Sequence, residues 1–220
     1  MSDTAIEIET GPAPAASVVV LHGLGADGRD FVPIASELDL SAVGPVRWVF
    51  PHAPMRPVTI NGGHVMRAWY DIVVSDLGRR EDEAGLRASR DAVDALIARE
   101  RSRGVESRRI VVAGFSQGCA MALMTGLRHP ERLAGIVGLS GYLPIAATTA
   151  GERSEANRDT PVFLAHGSRD PVVAIERGRA SRDALEALGH PVEWHEYPIE
   201  HTVSLPELME LRAFLLRVLG

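Results

Sequence analysis

The sequence predicts an α/β protein built on a mostly parallel sheet with helices on both faces. Three observations predict it. Short apolar, β-branched runs recur along the 220 residues, most of them continuous rather than alternating, as strands covered on both faces require. Amphipathic stretches of helical period separate them, clearest over residues 83–103, where Leu86, Val93, Leu96 and Ile97 share one face and charges occupy the other. The two kinds of segment alternate, and such alternation implies crossover connections between parallel strands.

Taken in order, residues 4–9 are β-like and can add an antiparallel edge strand. Strands follow at 18–21, 46–50, 110–113, 135–139, 162–165 and 192–197. Helical patterns cover 83–103, 116–128, 174–188 and 205–219, with Gly104 and Gly189 as stop signals. Two segments carry no period: 51–78, rich in Pro and Gly, and 141–160, small and polar. Long loops in compact domains are often functional. The length fits a single domain over residues 1–220.

Composition excludes several functions. A hydrophobic content of 45% and a charged content of 24% are ordinary for a globular protein, and the net charge of −6 gives no attraction to nucleic acid or an anionic membrane. There is no lysine; all 23 basic residues are arginine, which removes Walker-type phosphate binding, Schiff-base chemistry and Ser–Lys dyads. Cys119 is the one cysteine, so neither an intrachain disulfide nor a CxxC site can form. The 8 histidines show no H-E-x-x-H spacing, and no metal or other cofactor is expected. The acidic start MSDTAIEIE lacks the apolar core of a signal peptide, and no apolar run approaches the roughly 20 residues of a membrane span. A cytoplasmic protein is expected.

In open α/β sheets the chemistry sits beyond the carboxyl ends of the strands, and that rule sorts the candidates. The stretch RIVVAGFSQG, Arg109 to Gly118, is strand, G-x-S-x-G, then helix, the context of a nucleophile elbow with Ser116 at its tip. A serine hydroxyl needs a base, and the base an orienting carboxylate; on this scaffold they follow in the order acid, then histidine. Asp170, just after the strand 162–165, stands at the active edge, whereas Asp159 precedes that strand and Asp183 is mid-helix. Of the later histidines, His190 precedes the last strand and His195 lies within it. His201 follows the last strand and is the base.

An oxyanion hole then needs the N–H after the nucleophile, that of Gln117, and one from an early strand–helix loop. The opening VVVLHGLGADG supplies that loop, with Leu24 as the second donor. Its G-x-G-x-x-G (Gly23, Gly25, Gly28) also matches a dinucleotide fingerprint, but that reading needs a carboxylate at the end of the next strand. There the chain reads Phe50-Pro51-His52-Ala53-Pro54. Trp69, Tyr70, Leu143 and Val172 are candidate walls of a substrate pocket. His22 and His166 are expected to hydrogen-bond beneath the site, and Cys119 to pack as a small hydrophobe.

The blocks LHGLGADGRDF, FPHAP, RAWYDI, GFSQG, LSGYLP, HGSRDPVV and a late EH resemble the phospholipase/carboxylesterase family of α/β-hydrolases, from about Val18 to the C-terminus. By that resemblance Ser116, Asp170 and His201 are the triad, with Leu24 and Gln117 as donors. It implies a lid-poor, cofactor-free enzyme, often a homodimer. Where the family usually has Gly before the histidine, this chain has Glu200. The function expected is hydrolysis of short- to medium-chain carboxylic esters through an acyl-serine. Thioester or lysophospholipid substrates are the alternative, and a non-catalytic binding protein on the same scaffold is the rival from another class.

Overall fold

The computed structural model describes residues 5–75 and 78–220; Thr4, placed in the first strand by the sequence reading, lies outside them. Seven strands form the central sheet: β1 (Ala5–Glu9), β2 (Ala16–Leu21), β3 (Val46–Pro51), β8 (Ile110–Phe115), β9 (Gly135–Leu139), β10 (Val162–Gly167) and β11 (Val192–Tyr197). Their spatial order is β1-β3-β2-β8-β9-β10-β11; β1 runs antiparallel to β3 and every other pair is parallel.

All six residues of β2 and of β3 are buried, including Ser17 and Arg47, which both bond to the buried carboxylate of Glu100 and so interrupt the apolar runs. Successive side chains still part to opposite faces. Val19 and Leu21 join a core with Leu86, Val93 and Ile97 of α2 (Glu83–Ser102), Leu123 of α3 (Gln117–Gly126) and Leu185 of α5 (Ile175–Ala187). Val18 and Val20 join the other core, with Ile34 of α1 (Ile34–Glu37) and Leu211, Phe214 and Leu215 of α6 (Leu205–Leu219).

The unassigned segments contain structure of their own. Residues 51–78 carry an antiparallel hairpin, β4 (Met55–Val58) with β5 (His64–Arg67), and begin a second, β6 (Ile72–Ser75) with β7 (Gly78–Glu81). Residues 141–160 carry α4 (Ala146–Glu152). Among the described residues no helix is long and apolar enough to cross a membrane.

The sheet order places the site. From β2 the chain moves one way to β3, then returns to the other side of β2 at β8. The crevice between the carboxyl ends of β2 and β8 is therefore the topological switch point, where open α/β sheets bind ligands. The loop carrying Leu24 and the turn carrying Ser116 flank it.

Candidate active site

Ser116 sits between β8 and α3 with φ 55° and ψ −115°, a left-handed conformation that a non-glycine residue adopts only under constraint. Two contacts supply the constraint. Its N–H donates to the Leu139 carbonyl at the end of β9, at 2.8 Å, and its carbonyl accepts from Ala120 N–H in the first turn of α3, at 3.3 Å. The flanking glycines are required by space. A Cβ on Gly118 would meet the Leu21 carbonyl oxygen at 2.0 Å, and one on Gly114 would meet the Gly118 oxygen at 2.1 Å. Both obstacles are backbone and cannot rotate away. Gly118→Ala is expected to cost about 3 kcal/mol or more through overpacking. Gly151→Ala, at a position with nothing within 4 Å, is the matched control. Urea midpoints of the two variants check this.

Asp170 and His201 come from neighbouring loops stapled together. Ser168 N–H donates to the Tyr197 carbonyl at 2.7 Å and Arg169 N–H to the Ile199 carbonyl at 3.0 Å, tying the turn after β10 to the loop after β11. Gly167 admits that loop: a Cβ there would lie 2.4 Å from the Glu200 carbonyl oxygen. The result is one continuous line. Ser116 Oγ lies 2.9 Å from His201 Nε2, and His201 Nδ1 donates to Asp170 Oδ2 at 2.6 Å. The Asp170 side chain is fully buried, and its Oδ1 accepts from Val172 N–H and Val173 N–H, both at 2.8 Å. The His201 side chain keeps 16% exposure, so its reacting edge reaches solvent.

Two side chains support this line, Phe115, which the sequence did not indicate, and His166, expected to hydrogen-bond beneath the site. Phe115 packs against the His201 imidazole, with ring centroids 4.7 Å apart. His166 donates from Nε2 to the Val173 carbonyl at 2.8 Å and lies 3.5 Å from Asp170 Oδ2. Burial lowers its pKa, so it holds this position as a neutral donor.

The loop after β2 approaches closely: a Cβ on Gly23 would lie 3.4 Å from Ser116 Cβ. Leu24 follows it, and Gln117 opens α3, whose positive end faces the nucleophile. Of the candidate pocket residues, Trp69 and Tyr70 are each 2% exposed and Leu143 is buried, whereas Val172 is exposed beside Asp170. Trp69 donates its indole N–H to the His22 carbonyl, and the Tyr70 carbonyl accepts from Gln117 Nε2. Cys119 is buried behind the elbow, and burial pushes its thiol up to about 12.

His190 is buried on the loop that enters β11, at the opposite edge of the sheet, and His195 lies within β11, stacked on Phe163. His195 also belongs to a group with Glu193 and Glu210 whose ligand atoms all lie within 4.8 Å, outside the triad. Glu193 is already engaged there by His195 and Arg217.

A family model described as Phospholipase/Carboxylesterase matches residues 3–219. The chain is 38% identical to an acyl-protein thioesterase 1 of Yarrowia lipolytica over 94% of this chain and 93% of that one. It is 40% identical to the protein of the same name from Mycosarcoma maydis, over 97% and 95%. Among solved structures it resembles Arabidopsis thaliana SOBER1, with a TM-score of 0.87 and 32% identity over 93% of this chain and 99% of that one. Zea mays acyl-protein thioesterase 2 gives a TM-score of 0.87 and 31% identity over 98% and 99%. With its sheet order, strained serine turn and serine–histidine–aspartate line, the chain belongs to the phospholipase/carboxylesterase family of α/β-hydrolases and is a serine hydrolase.

Proposed function

We propose that this enzyme hydrolyses acyl thioesters carried on proteins, through an acyl-serine intermediate. The observation that carries the reading is the near full-length similarity to relatives named acyl-protein thioesterase. It moves the thioester, second in the sequence reading, ahead of the short-chain oxygen ester. Ser116 Oγ attacks the thioester carbonyl as its proton passes to His201 Nε2, and Asp170 holds the imidazolium. The N–H groups of Leu24 and Gln117 bind the tetrahedral oxyanion, usually the largest electrostatic contribution. The thiolate then leaves with the proton from His201, and water repeats the sequence on the acyl-serine.

An open groove supports the reading. About 650 Å³ in volume, it is bordered on the Leu24 loop side by Gly25, Ala26 and the charged Asp27, Arg29 and Asp30, and on the β4–β5 hairpin by Met55, Val65, Met66 and Arg67. Met55 and Val65, 59% and 55% exposed, give the hairpin side of this groove an apolar surface on which part of an acyl chain can lie. Val172 is exposed on the acid loop itself, two residues after Asp170.

The test is a matched pair: one peptide acylated with the same long chain on cysteine or on serine. We expect kcat/KM for the S-acyl peptide to exceed that for the O-acyl peptide by about tenfold or more, read by release of the free fatty acid, the product common to both. Aryl esters from acetate to palmitate give the chain-length arm. Each buried methylene is worth about 0.8 kcal/mol, or roughly fourfold, where burial is realised in the transition state. A plateau after a few carbons together with equal rates on the two peptides would restore the short-chain ester reading.

A further inference from the structure

A peptide unit is planar and trans, so its C=O and N–H point to opposite sides. Fixing a carbonyl therefore aims the N–H of the next residue. The carbonyl paired with Leu24 N–H is that of Gly23. It accepts from His22 Nδ1 at 2.7 Å and from Ala26 N–H at 3.3 Å. The other ring nitrogen, His22 Nε2, accepts from Ala53 N–H at 3.0 Å, which leaves the ring proton on Nδ1.

The same residue is held from the other end. The His22 carbonyl accepts the Trp69 indole N–H at 2.9 Å. Trp69 in turn gives its backbone N–H to Gln117 Oε1 at 2.7 Å, and Gln117 Nε2 donates to the Tyr70 carbonyl at 2.8 Å. A chain of hydrogen bonds thus begins at the peptide of one oxyanion donor and ends on the side chain of the other. His22, Trp69 and Gln117 are 1%, 2% and 3% exposed, so water does not compete for these bonds. Burial also lowers the His22 pKa, which favours the neutral ring that can accept and donate at once.

We propose that His22, Trp69 and the Gln117 side chain form a positioning bracket. It fixes the spacing of the Leu24 and Gln117 N–H groups so that both converge on one oxygen before substrate arrives. None of the three side chains touches the reacting atoms. The bracket rests on the acyl-serine reading above, because only there do the two N–H groups bind an oxyanion.

Three variants test it: Trp69→Phe, which deletes the indole N–H and keeps an aromatic ring; His22→Ala; and His22→Asn, whose amide nitrogen can replace Nδ1 as donor to Gly23. Removing an oxyanion donor outright costs about 10²–10³ in kcat, so displacing one should cost about tenfold or more. We expect Trp69→Phe and His22→Ala to lose that factor in kcat with KM unchanged. Affinity for an aryl trifluoromethyl ketone, whose hemiketal oxyanion occupies the same hole, should fall by the same factor. The acid limb of the pH–rate profile should not move, because the Ser116–His201–Asp170 line is untouched. His22→Asn should restore most of what His22→Ala loses.

A merely structural role predicts lower Tm with kcat and ketone affinity within twofold of the parent, and that result in folded Trp69→Phe and His22→Ala overturns the bracket. Failure of the underlying reading shows elsewhere: an unmodified enzyme that a fluorophosphonate does not label at Ser116 removes the reading and the bracket together.

Discussion

Ser116→Ala abolishes turnover and fluorophosphonate labelling while thermal stability stays close to the parent value: this is the expected result with the largest effect. The substitution removes one atom, Oγ, whose hydrogen bond reaches His201 Nε2 at 2.9 Å. It keeps Cβ, so the strained φ of 55° at this turn is neither worsened nor relieved. The backbone bonds that hold the turn, to Leu139 and Ala120, do not involve the side chain. Folding therefore loses little. Catalysis loses its nucleophile, and comparable triad deletions in other serine hydrolases cost about 10⁶ in kcat, leaving a residue of about 10³–10⁴ over water from the oxyanion hole and binding. The comparison to make is kcat alongside Tm on the same preparation. A folded variant that turns over at even a hundredth of the parent rate would mean that another group attacks the carbonyl.

How far the sequence anticipates this site depends on what each residue's neighbours are. The six strands expected between residues 18 and 197 are all present; four of them are buried on both faces and read as apolar runs, whereas β3 carries Arg47 and the half-buried edge strand β11 alternates polar and apolar residues. Their ends were less legible. The strands expected at 110–113 and 162–165 extend to Phe115 and Gly167, since Gly114 in the first and His166 and Gly167 in the second break the apolar run before the pairing ends. The hairpin β4–β5 was not legible at all. It contains Pro57, ends in a turn at Gly62 and Gly63, and exposes Met55 and Val65, so no two-residue alternation marks it.

Ser116, Asp170 and His201 were legible because strand order alone puts each at the same edge, and the structure brings them into one hydrogen-bonded line. Phe115 beneath His201 and the Trp69 bonds to His22 and Gln117 were not, because they depend on pairs 47 to 86 residues apart whose types carry no local pattern.

The second large effect is expected of Asp170→Asn, which keeps the shape of the side chain and changes one hydrogen-bonding atom. Oδ1 accepts two backbone N–H groups, from Val172 and Val173, at 2.8 Å each, so that position has to be an oxygen. Asparagine can satisfy it only by placing its carbonyl there, which puts the NH₂ group where Oδ2 stood. That site faces His201 Nδ1 at 2.6 Å and His166 Nε2, a second donor, at 3.5 Å. An NH₂ group pairs only with an unprotonated Nδ1, so the imidazole proton moves to Nε2. Nε2 can then no longer take the proton from Ser116 Oγ, and the nucleophile is not activated. The same change in another serine hydrolase lowers kcat by about 10⁴ with its geometry intact, and a loss of that order is expected here. KM should stay near its parent value, because the Asp170 side chain is fully buried and does not meet substrate. Steady-state kinetics with Tm as the folding control reads both. A folded Asp170→Asn enzyme within tenfold of the parent kcat would overturn the assignment, and would direct attention to Glu200, the exposed carboxylate beside His201, as the group that orients the imidazole.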